Sequence, residues 1–248
     1  MTQAVSRQQA LFLLVLAAIA TIATWQLPFG HQLLYPFTIL SVWFHEMGHG
    51  LTALVLGGSF QKLELFANGS GVATHGGAVF GGRLGRALVA AGGPLGPAIA
   101  GSGLIIAARW PNLSRWNLGI LVVALLLSLI WMRTLFGVIA IVGWAAGIGG
   151  IAAWGPRWLR EFALPFLGVQ ACVSTYNQLS YLFTRAVQID GQFLLSDSGQ
   201  IARQLFLPYW FWGALLGLLS LGLLAISLLL TYGDDDEIEV SSDDDLVW

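Results

Sequence analysis

The chain has 248 residues, 56% of them hydrophobic and 10% charged, with a mean hydropathy of +0.75. These values exclude an ordinary soluble domain and point to an all-α protein that crosses a membrane several times. The formal net charge of −2 is uneven: eight of the thirteen acids fall at 234–245, and no basic stripe suggests a nucleic-acid partner. The single cysteine, Cys172, excludes an internal disulfide and a cysteine-built metal cage, and its apolar setting makes it a small core residue.

The first apolar run, 10–25, follows Arg7 and lacks a convincing cleavage site after it, so it reads as a retained first span. His31 sits in the short connection that follows and reads as an interfacial polar residue. The next run, 35–56, carries His45-Glu46-Met47-Gly48-His49. Residues four apart share one helix face, so His45 and His49 can present two imidazole nitrogens to one zinc ion. Glu46 is placed to take a proton from a water on that zinc, as a metalloprotease requires. Ionisable side chains inside a bilayer are costly and therefore usually functional, which sets a polar packing cluster aside as the weaker reading.

After Gly57-Gly58, residues 59–67 alternate in polarity like a strand, Asn68-Gly69-Ser70-Gly71 signals a turn, and 72–75 returns. A short β-hairpin is expected here, with an edge that an extended peptide can join. His75, just past the turn, is either a ligand or a solvent-facing hydrogen-bond partner. A third span, 86–108, contains Ala91-Gly92-Gly93-Pro94-Leu95-Gly96-Pro97, a density of small residues that implies close packing on the zinc helix. Spans four and five are expected at 117–132 and 135–154, a sixth at 162–183 and a seventh at 209–232. Asn177, in the sixth, either faces the site or bonds between helices. The expectation is thus about seven transmembrane helices in a single domain over 1–232, followed by an acidic, disordered tail at 233–248. With the N-terminus cytoplasmic, seven Lys/Arg fall in inside segments and four outside, which favours that orientation.

Two histidines leave zinc short of a third protein ligand. Outside the tail the remaining His, Asp and Glu are His31, His75, Glu64, Glu161, Asp190 and Asp197. Glu161 falls on the far side by the orientation count. Asp190 and Asp197 share the loop before the last span, and Asp197 stands where a helix can begin.

The zinc motif inside a span, the Asn-Gly-Ser-Gly turn and the late aspartate together resemble the M50 intramembrane metalloproteases. The likeness is nearest the compact M50B-like branch, which lacks a PDZ domain, and it covers about 41–212. In site-2 proteases the third ligand lies in a Leu-Asp-Gly pattern, similar to Ile189-Asp190-Gly191. The M50B-like branch shows a Ser-Asp-small pattern, similar to Ser196-Asp197-Ser198. The two analogies disagree. Asp197 is preferred because its surroundings match the smaller branch, and Asp190 stays the alternative.

The resemblance implies a zinc cofactor, Glu46 as general base and a membrane-embedded protein or peptide substrate. Two other classes remain: a zinc-dependent membrane binding protein without catalysis, and a metal or proton transporter. A binding site needs no base, so Glu46 argues for hydrolysis. A transporter should string ionisable groups along a path, and here they gather near one side.

Overall fold

The computed structural model describes residues 7–177, 179–189 and 192–233. Asp190 and the acidic tail lie outside the described residues, as does the side chain of Asn177. Helix α1 covers Arg7–Trp25, a short α2 covers Gly30–Leu33, and α3 covers Tyr35–Val55 with the zinc motif. The chain leaves α3 through Gly57, whose φ of +80° is the left-handed conformation that commonly follows a helix end.

Strands β1 (Ser59–Leu65) and β2 (Gly71–Gly76) form the expected antiparallel hairpin. Its turn is fixed by Asn68, whose Oδ1 accepts from Ser70 N at 3.0 Å, and by Gly69 at φ +85°. The hairpin is not a loop above the bundle. Phe60, Leu63 and Leu65 are buried in one cluster with Trp43, Phe44, Leu125 and Ile141.

Helix α4 (Gly82–Ala107) is the centre of the fold and packs on α3, on α7 (Arg157–Asn177) and on α10 (Tyr209–Tyr232). Its small residues make these approaches possible. A Cβ on Gly92 or Gly96 would meet the backbone of Gly48 or Phe44 on α3, so the two helices touch main chain to main chain. In lipid, where apolar surface alone does not draw helices together, such contact supplies packing and is the usual basis of association. Helices α5 (Ser114–Ser128) and α6 (Leu135–Trp154) pack as a pair beside the hairpin. Thr134 caps α6, accepting from Gly137 N at 3.2 Å while donating to Leu65 O at 2.8 Å. A short α8 (Leu179–Leu182), strands β3 (Ala186–Ile189) and β4 (Gln192–Leu195), and α9 (Asp197–Gln204) complete the chain before α10.

One expectation is met in part and two features were not expected. Four helices among the described residues are long and apolar enough to cross a membrane: α1, α4, α6 and α10. Seven were expected. The zinc motif itself lowers the hydropathy of α3, α5 has only 15 residues, and α7 opens with Arg157, Arg160 and Glu161. The connection at 129–134 is not a plain link between spans. Leu63 N donates to Trp131 O at 2.8 Å and Leu63 O accepts from Arg133 N at 2.9 Å, so this segment pairs with the outer edge of β1. Finally, the antiparallel β3–β4 hairpin was not foreseen in the loop before α9.

Candidate metal centre

One turn of α3 places His45 and His49 on the same face, both buried, with Nε2 atoms 3.2 Å apart. Asp197 reaches them from α9 and is 1% exposed. Its Oδ2 lies 3.0 Å from His45 Nε2 and its Oδ1 3.2 Å from His49 Nε2. One donor atom from each of the three residues falls within 4.8 Å of the others.

Glu46 is buried beside this cluster and turned to the hairpin, where its Oε2 accepts from Ala73 N at 2.7 Å. The register explains why that N–H is available. Leu63 spends its backbone groups on the 131–133 segment, so they point away from β2. Its cross-strand partner Ala73 therefore turns its own N–H and C=O to the other edge of β2. Among the described residues β2 pairs only with β1, and this second edge faces the zinc motif.

A family model described as Peptidase M50B-like matches residues 13–227. The chain belongs to the Peptidase M50B-like family. Neither the curated proteins nor the solved structures give a match.

The donor set of this M50B-like chain suits a metal of the kind the peptidase family uses. His49 Nδ1 lies 2.8 Å from Val89 O on α4, and a carbonyl can only accept. That bond places the proton on Nδ1 and leaves the Nε2 lone pair facing His45 and Asp197. Asp197 Oδ2 is buried and faces His45 Nε2. Lone pairs crowded on one point call for a positive charge between them, and two imidazoles with one carboxylate are a recurrent zinc donor set.

The position of Asp197 rests on its neighbours. Ser196 caps α9 by accepting from Gly199 N at 3.1 Å and donates to Thr184 O. Ser198 donates to Leu182 O at 2.6 Å. Both serines are fully buried, so the start of the helix that presents Asp197 is bound to the end of α8 and to the residue pair after it. From α4, Gly93 lies under the histidines, and a Cβ there would collide with His49 Nε2 and crowd His45 Nε2. The ring of Tyr181 stands edge-on to His45, centroids 6.2 Å apart.

The other sequence candidates fall elsewhere. His75 is exposed on β2 with its ring 6.3 Å from that of His49, outside the donor cluster. His31 is exposed on α2, Glu64 pairs with Lys62 at 2.8 Å, and Glu161 pairs with Arg157. Cys172 is buried and free. Sequence reasoning missed Tyr181, Val89 O and Ala73 N–H. The last two are backbone groups, which carry no residue-type signal. The Gly92-Gly93 pair did carry one, since small residues mark where a neighbour comes close.

Proposed function

We propose that this chain is an intramembrane zinc metalloprotease that hydrolyses peptide bonds of membrane-embedded proteins or peptides. The observation that carries the reading is the buried meeting of His45, His49 and Asp197 beside a fourth ionisable group, Glu46, that is outside the donor set. In this reading α3, α5 and α7 also cross the bilayer, which gives seven spans with a cytoplasmic N-terminus. A transporter would need its buried charges spread along a path, and these converge on one point.

His45 Nε2, His49 Nε2 and the Asp197 carboxylate would hold zinc. Bound there, zinc supplies a Lewis acid that makes water acidic near neutral pH and polarises the scissile carbonyl. Glu46 takes the proton from the attacking water and returns it to the leaving amine. The Ala73 N–H holds Oε2 and so aims the carboxylate, leaving Oε1 for the proton. A substrate segment unwinds and lies along the second edge of β2, where the Ala73 carbonyl accepts from its backbone.

Glu46→Gln tests this reading. The variant keeps zinc at the wild-type level, because Glu46 is not a ligand, and it loses cleavage of a membrane-embedded reporter by at least roughly 100-fold, the scale of lost general-base catalysis. Undiminished cleavage removes Glu46 from the mechanism.

A further inference from the structure

Helix geometry divides α9. Asp197 and Ile201 lie on the inner side, and both are buried. Gly199, Ala202 and Arg203 lie on the opposite side and border a cavity of about 460 Å³. Arg185, at the foot of the β3–β4 hairpin, also lines the cavity. Phe206, Pro208 and Tyr209 line its remaining wall. The volume falls in the range of small-molecule sites, roughly 300–1,000 Å³.

The charges around it are unbalanced. Among the described residues the carboxylates are Glu46, Glu64, Glu161 and Asp197. Glu46 and Asp197 are held at the metal centre, Glu64 pairs with Lys62, and Glu161 pairs with Arg157. None is committed to Arg185 or Arg203. A third cation, Arg86 of α4, sits close by, its Nε donating to Gln204 Oε1 at 3.0 Å. Two arginines lining one cavity offer donors that match the oxygens of a phosphate, which arginine binds through paired N–H groups.

The apolar wall says where that phosphate comes from. Tyr209 opens α10, a helix long and apolar enough to span the membrane. Phe206 is 94% exposed and Trp210 is more than half exposed at the same level. Aromatic side chains at the end of a span mark the membrane–water boundary. An anion held here has its charge on the arginines and its apolar part beside Phe206. A free phosphate uses only the first half of that arrangement.

We propose that the Arg185–Arg203 cavity binds the phosphate headgroup of an anionic phospholipid, a site separate from the metal centre and on the outer face of the helix that carries Asp197. Basic pockets beside spans are a recurrent form of lipid-headgroup recognition. The inference does not depend on the chain being a protease.

The test uses the purified full-length chain in a neutral detergent, titrated separately with phosphatidylglycerol, phosphatidylcholine and inorganic phosphate. Native mass spectrometry reads retained lipid, and Tm reads stabilisation. Phosphatidylglycerol is retained and raises Tm, whereas phosphatidylcholine and inorganic phosphate do neither at equal concentration. Arg185→Gln with Arg203→Gln weakens phosphatidylglycerol binding by roughly tenfold or more, as expected when two basic contacts to an anionic headgroup are lost. Arg109→Gln with Arg115→Gln removes the same charge elsewhere and leaves binding within about twofold, by the same logic. Arg185→Lys with Arg203→Lys keeps the charge without the paired donors and binds between the two, which guards against a misfolded glutamine variant. Equal binding by the wild type and the glutamine pair, with zinc content unchanged in both, overturns the site. Equal protection by inorganic phosphate overturns the lipid as its occupant.

Discussion

The two segments that build the candidate metal centre are held by different means. Helix α3 carries His45 and His49 and is fixed by close packing, main chain against main chain, on the glycines of α4. Helix α9 carries Asp197, has eight residues, and is fixed by hydrogen bonds from buried serines to the carbonyls of Leu182 and Thr184. The first arrangement depends on shape and tolerates no added atom. The second adds to the packing of Ile201 against Ala87 and Ala90 a few buried polar bonds, which are strong in a water-poor interior and costly when one partner is removed. A site assembled from both should fail differently according to which support is disturbed.

Removing the donor that α9 supplies is the most severe of these disturbances. Asp197→Ala should lower zinc affinity by about 100-fold or more, the upper end of what even outer-shell losses cost. Metal titration reads the change directly, and wild-type affinity in this variant would show that α9 does not serve the site.

Disturbing the shape of the α3 support comes next. Gly93→Ala puts a Cβ where the two imidazoles stand. Overpacking of this kind costs about 1–3 kcal/mol, so zinc affinity should fall by around tenfold. The histidines themselves are unchanged in this variant, so retained zinc with an unaltered Tm would mean that α3 and α4 separate freely.

The smallest effect is expected from the polar support. Ser198→Ala leaves the buried Leu182 carbonyl without its donor and should cost about 1 kcal/mol, a several-fold loss of zinc affinity. Ser198→Thr keeps the hydroxyl and should recover part of it. If Ser198→Ala proves as damaging as Asp197→Ala, α9 is held by these bonds alone and the contrast with α3 sharpens.

The sequence alone determined what is local. His45, Glu46 and His49 lie within one helical turn, so their spacing already carries the geometry. The β1–β2 hairpin is equally local, because Asn68-Gly69 specifies the turn and the alternating residues specify the pairing. The Gly and Pro run at 91–97 announced a close neighbour, and that neighbour is α3.

The tertiary structure decided the rest, through contacts between distant segments. Sequence chemistry left Asp190 and Asp197 as rivals, since both are acids in one loop; the fold brings Asp197 to the histidines, and Asp190 lies outside the described residues. The second partner of β1, the Ala73 N–H on Glu46 and the Val89 carbonyl on His49 are all backbone groups. Every residue type offers such groups, so no pattern of side chains announces which one a fold will use. Of the seven spans expected from apolar runs, four stand out by length and hydropathy among the described residues, because the ionisable residues in α3 lower the hydropathy that its apolar neighbours would otherwise give it.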